Sequence, residues 1–293
     1  MANPTLASRA LGRQLQKFRE RAGLSEYAVA RAVETSPQTY GRLEDGVKQN
    51  VPSMLINALS DALGVSDEER RQLLALADEV RKERNSEGRW WRAFTNKIRP
   101  DLDHFFGLEE TARRITTLQL TLVPGLLQTV EYRRQLAWAE FPNRTPEEID
   151  GLLAHFNQRQ QRLTDPQFEF EAFVSESVLR EPTGGPGVMG DQLRHLVELG
   201  DQPNVSIRVI PIGTNPFPAT IHSFVWLDFP ILANTKLISP PVVFVEGYLG
   251  ALYLTDEDQV GKYREVIPRI GRVALDADVT RDLILTIARE FSS

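Results

Sequence analysis

The sequence predicts a two-domain chain of the α plus α/β class. An all-α head of about five helices spans residues 1–85, and a mixed α/β domain with a sheet of about five strands spans 86–293. Three observations predict it. Apolar residues recur at helical spacing from Ser8 to Val80. A polar stretch, RKERNSEG at residues 81–88, then breaks the pattern and reads as a hinge. From Phe168 the period changes to alternation in FEFEAFVS and again in VSIRVIP at Val205–Pro211, with IHSFVWLDF, VVFVEG and ALYLT following as β-branched and aromatic runs.

Composition narrows the class. The 293 residues suffice for two domains, and 41 % hydrophobic with 25 % charged residues is ordinary for a globular chain. No apolar run approaches bilayer length and the N-terminus lacks a secretory h-region, so the expected compartment is the cytoplasm, away from membranes. The absence of cysteine excludes disulfides and thiolate metal sites. The net charge of −6 is unevenly spread: residues 1–92 carry 15 Lys and Arg against 13 Asp and Glu, and the remainder 19 against 27. A nucleic-acid contact in the first half therefore depends on local placement of cations, and the acidic second half is kept off DNA.

In the head, Leu11, Leu15 and Phe18 line one side of a helix over Ser8–Ala22, and Arg9, Arg13, Lys17 and Arg21 line the other, with Arg13 a candidate for phosphate contact. Ser25 caps a short helix carrying Val29, Ala30 and Val33. Ser36 caps the next, with Pro37 at its first position, where a missing N–H is not needed. Tyr40 and Leu43 should face Val29 and Val33, which leaves Gln38, Gly41 and Arg42 outside. Amide and guanidinium groups pair bidentately with adenine and guanine edges, so Gln38 and Arg42 are candidates for base readout. Ser36, Thr39, Tyr40 and Lys48 are candidates for holding phosphates or positioning the helix. The alternative is a solvated face of an ordinary helical hairpin. A buried helix over Ser53–Leu63 ends at Gly64, and Ser66 with Glu69 forms a capping box for a helix buried through Leu73, Leu74, Ala77 and Val80.

In the second domain, the run Arg89-Trp90-Trp91-Arg92-Ala93-Phe94 could stack on single-stranded bases, but at a domain start it reads better as core. Helices are expected over His104–Leu120, Gln128–Glu140, from Thr145-Pro146 with its Glu148 capping-box acid to about Leu163, and over Val188–Leu199. Two more, Asp256–Leu275 with a kink at Pro268 and Asp278–Phe291, close the chain.

Catalytic signals are missing. Thr183-Gly184-Gly185-Pro186-Gly187 precedes a helix but has neither phosphate-loop spacing, and reads as a plain loop. His104, His155, His195 and His222 share no metal-ligand spacing, and no nucleophile elbow exists. No catalytic residue, metal or cofactor is expected. The stiff loop GTNPFPATIH at residues 213–222 and the turn Gly247-Tyr248-Leu249-Gly250 either cover the core or present a binding surface.

Two resemblances sharpen this reading. From about Leu11 to Val65, the residues Leu11, Leu15, Phe18, Arg19, Gly23, Leu24, Ala30, Ser36, Thr39, Arg42, Leu43, Glu44, Gly46, Leu55, Leu59, Ala62, Leu63 and Gly64 resemble the repressor-type helix-turn-helix domain of the xenobiotic-response-element (XRE) family. That resemblance implies a compact five-helix head, binding of an operator in double-stranded DNA as a homodimer, and a structural ion pair between Arg19 and Glu44. Three residues depart from the family: Glu26 where a phosphate-holding Gln is usual, Glu34 at the turn glycine, and Gly41 inside the recognition helix. They predict DNA binding that is weak in the monomer. LVPGLLQTVEY at Leu122–Tyr132, the run from Ser175 to Pro211, and VVFVEG at Val242–Gly247 resemble the C-terminal domain of Scr-type antitoxin-like regulators, long labelled as of unknown function. This second resemblance implies control by a small protein partner encoded nearby, in a toxin-antitoxin-like arrangement, and no catalysis. The expectation is a dimeric transcriptional regulator. The alternative is a regulator that senses a small molecule in the second domain.

Overall fold

Thr5 opens the first helix, α1 (Leu6–Arg21), through a reciprocal cap in which its hydroxyl accepts from the Ser8 amide while the Ser8 hydroxyl accepts from the Thr5 amide. The computed structural model describes residues 5–48, 50–85, 102–213, 216–232, 235, 237, 239–247 and 250–291. The described chain forms two compact units. The first gathers Met1–Arg92, Asp103–Thr111 and Phe229–Ser239; the second gathers Ala93–Leu102, Ala112–Asp228 and Pro240–Ser293. Residues 86–88 of the expected hinge, and the whole Arg89–Phe94 run, lie outside the described residues.

In the first unit α1 is followed by α2 (Glu26–Ala32), α3 (Pro37–Glu44), α4 (Ser53–Ala62), α5 (Asp67–Asn85) and α6 (Leu102–Thr111). The Ser66–Glu69 capping box forms at the start of α5, which continues through the first residues of the expected hinge. Leu11, Leu15, Phe18, Val29, Tyr40, Leu43, Ile56, Leu59, Leu73 and Leu76 make one core, against which Leu232 and Leu237 of the third segment also pack. Gly12 sets how closely α1 approaches α3: a Cβ there would lie 2.0 Å from the Glu44 carbonyl oxygen.

The second unit is built on a six-stranded sheet, one strand more than expected. Its strands are β1 (Arg114–Gln119), β2 (Glu169–Ser175), β3 (Val205–Ile210), β4 (Phe224–Asp228), β5 (Val242–Gly247) and β6 (Gly250–Leu254), in the order β3-β2-β1-β4-β5-β6. β1, β2 and β3 run parallel, and β4, β5 and β6 join by antiparallel pairing, with Ile115 opposite both Phe170 and Leu227. The extra strand is β1, which corrects the helix expected to run to Leu120. RITTLQ is buried at its four central positions, so both faces are apolar or satisfied and no alternation betrays it. Thr117 hides its hydroxyl by donating to the Phe224 carbonyl at 2.8 Å.

Six helices complete this unit: α7 (Val130–Glu140), α8 (Pro146–Gln160), α9 (Glu176–Arg180), α10 (Pro186–Gly200), α11 (Glu257–Val273) and α12 (Ala277–Glu290). The capping box at Thr145 and Glu148 is present. Pro268 is accommodated inside α11, exposed on its surface. Arg208 on β3 closes the end of that helix by donating to the carbonyls of Gly271, Ala274 and Leu275. Phe217 in the stiff loop packs on the core of Leu118, Phe173, Phe224 and Trp226, under the Arg269 guanidinium 3.6 Å from its ring centre. Tyr248 and Leu249 lie outside the described residues.

Candidate nucleic-acid interface

The interface starts from two serine caps. Ser25 Oγ accepts from the Ala28 amide and Ser36 Oγ from the Thr39 amide, so α2 and α3 each begin at a defined residue. Pro37 occupies the first turn of α3. Between the helices Glu34 takes φ of +53°, the left-handed conformation that a glycine adopts without strain.

α3 then has two unlike faces. Tyr40 and Leu43 are 1 % and 2 % exposed and belong to the core. Gln38 and Arg42 are exposed and lie four residues apart, on one face one helical turn apart. Ser36 is exposed and Thr39 half-buried, and the Ser36 hydroxyl donates to Thr39 Oγ1 at 2.8 Å. Lys48 is half-buried just beyond the helix, its amide donating to the Arg42 carbonyl. Of the two roles offered for Tyr40, its burial leaves only positioning: the ring is packed inside, and burial, followed by the adjacent Glu44 carboxylate, pushes the phenol pKa up.

The structure brings Arg19 and Glu44 together. Arg19 Nε donates to Glu44 Oε1 at 2.7 Å and Nη2 to Oε2 at 2.9 Å, while Nη1 reaches the Leu24 carbonyl at 3.2 Å. One side chain thereby ties α1 to both the start of α2 and the end of α3. The Glu44 hydrogen bond raises the Arg19 pKa against the cost of burial, so the guanidinium stays charged.

Glu26 stands beside α3. Its Oε2 is 3.1 Å from where a Cβ on Gly41 would be, so the glycine leaves room for a carboxylate at the margin of the Gln38–Arg42 face. Arg13 is placed elsewhere than on that face: half-buried, its Nη2 donates to Ser239 Oγ at 3.2 Å, and burial lowers its pKa to about 10. One donor of its guanidinium is thereby engaged within the unit. Sequence reasoning also missed Arg9, which is 8 % exposed with Phe229 beneath it. The one available signal was the length of the connection between the β4 and β5 runs, too long for a simple hairpin turn.

Among the described residues no cluster of His, Asp or Glu could hold a metal ion, and no helix is long and apolar enough to cross a membrane. Burial lowers His155 to about 3, with Arg159 and Arg133 adding to the effect, and burial with Arg9 lowers His104 to about 4.

Two capped helices with a charged, exposed second face are the anatomy of a helix-turn-helix protein, and a family model described as a helix-turn-helix domain matches residues 10–73. A second model, described as a domain of unknown function (DUF5753), matches residues 102–286, more than half of the sequence, and the chain belongs to that family. No curated protein and no solved structure matches the chain.

Proposed function

We infer that the protein is a sequence-specific DNA-binding transcriptional regulator of the XRE type that acts without catalysis. The observation that carries this reading is the division of α3 into a buried Tyr40–Leu43 side and an exposed Gln38–Arg42 side, within a matched helix-turn-helix domain. Gln38 and Arg42 read base edges in the major groove, Ser36, Thr39 and Lys48 meet phosphates, and Tyr40, Arg19 and Glu44 hold the helix in place. The head is too weakly basic to bind by its general field, so affinity comes from a homodimer engaging two half-sites. The DUF5753 part carries the dimer contact and receives a small protein partner, as the Scr-type likeness implies, shifting operator occupancy by a coupling of about 1–3 kcal/mol.

The test is a band-shift titration on the protein's own promoter DNA. Arg42→Ala is expected to lose about 1–3 kcal/mol of affinity for the operator with little change on unrelated duplex, and the parent should show a steep fall of log K with log salt. Unchanged operator affinity in the variant would remove the readout assignment. Sedimentation with and without the product of the neighbouring gene tests the partner.

A further inference from the structure

The first unit buries a guanidinium, that of Arg9, whose two terminal nitrogens meet no hydrogen-bond acceptor among the described residues. The N-terminal part of α1 is covered without interruption from Thr5 to Gly12, although Arg9 lies in that stretch. Arg9 is 8 % exposed, and neither Nη1 nor Nη2 has a hydrogen-bond partner; the face of Phe229, with its centre 5.7 Å from Cζ, is its favourable contact. Arg13, one turn along, reaches into the same place and donates to Ser239. Burial, with repulsion from Arg13, lowers Arg9 to about 10, and burial does the same to Arg13, so both stay charged at neutral pH. His104 of α6 is close enough for Arg9 to suppress its protonation further. Among the described residues no carboxylate figures among the groups acting on either guanidinium.

Two neighbouring guanidinium groups kept from water are costly unless an anion meets them, and an aromatic face offsets only part of that cost. Arginine cannot escape by losing its proton, and its fork of donors matches a carboxylate or a phosphoryl group. Arg9 is too deeply covered for the backbone of duplex DNA to reach. Arg13 beside it is half-buried.

We propose that Arg9, Arg13 and Ser239 form a binding site for the oxyanion of a small metabolite, a carboxylate or a phosphoryl group, which fastens Ser239 onto α1. Leu232 and Leu237, before it in the chain, already pack on the core of the first unit. α1 in turn carries Gly12 and Arg19, both against Glu44 at the end of the recognition helix. Occupancy thereby bears on the pose of α3. The binding itself is independent of the regulator reading; only its effect on DNA rests on that reading.

The experiment is thermal unfolding of the full chain in inorganic phosphate or in succinate, against chloride at equal ionic strength. At least one anion is expected to raise the midpoint by about 5 °C at roughly a hundredfold excess over its Kd. Arg9→Met should abolish that shift and, by removing an unpaired buried charge, raise the midpoint in chloride. Arg13→Gln should weaken the shift, and Arg42→Ala on the outer face of α3 should leave it intact. A shift with phosphate alone assigns a phosphoryl ligand, with succinate alone a carboxylate. No shift with either anion, or a shift that survives Arg9→Met, overturns the site. Band shifts of the parent without added anion report on the regulator reading separately, so either can fail while the other stands.

Discussion

At the scale of single residues, two glutamates of the helix-turn-helix stand where they carry a cost. Glu34 holds a left-handed backbone that costs a non-glycine residue about 1–2 kcal/mol. Glu34→Gly is therefore expected to stabilise the protein by about 1 kcal/mol in urea unfolding, and a destabilised variant would show that the Glu34 side chain makes a compensating contact. Glu26 presents a carboxylate beside the exposed face of α3. Glu26→Gln removes that charge, and DNA affinity at low salt is expected to rise about fivefold, as for about 1 kcal/mol. An unchanged affinity would place the phosphate path away from the start of α2.

At the scale of elements, the pose of α3 depends on one ion pair more than on its own propensity. α3 has only eight residues and includes Gly41, so it is marginal by itself. The Arg19–Glu44 pair is largely shielded from water, with side-chain exposures of 14 % and 7 %. Removing one partner leaves a poorly compensated charge, so Arg19→Met and Glu44→Leu should each cost about 3 kcal/mol, and the double variant clearly less than their sum. Additive losses in the double-mutant cycle would show that the two side chains stabilise the unit independently. In the sheet, β1 joins the parallel and antiparallel halves, and its four central residues are buried.

At the scale of the whole molecule, acid should act through buried imidazoles. His155 and His104 are held neutral, with pKa values lowered to about 3 and about 4, whereas the unfolded chain takes up the proton near 6.5. The unfolded state then binds more protons below pH 6.5, so stability falls as pH drops through that value and continues falling towards about 4 and then 3. Urea midpoints measured from pH 7 to 4 should show this slope, and His155→Phe should flatten part of it. A variant with the parent's slope would exclude His155 as a source.

Local chemistry was legible in the sequence because it lies between near neighbours. Ser36 with Pro37, Thr145 with Glu148, and the partition of Tyr40 and Leu43 from Gln38 and Arg42 all follow from spacings of a few residues. The strand at Arg114–Gln119 was not legible, because periodicity vanishes when a strand is covered on both faces. The burial of Arg9 and Arg13 was not legible either. Their partners Phe229 and Ser239 are more than two hundred positions away, and an arginine on an amphipathic helix looks the same whether it meets water or a distant segment. The sequence by itself determined the helix caps at Ser36, Ser66 and Thr145 and which side of α3 is polar, since these depend on local sterics and hydrogen bonds. Only the tertiary structure decided which cations remain outside and which are enclosed, since desolvation depends on what folds over a residue and not on what precedes it.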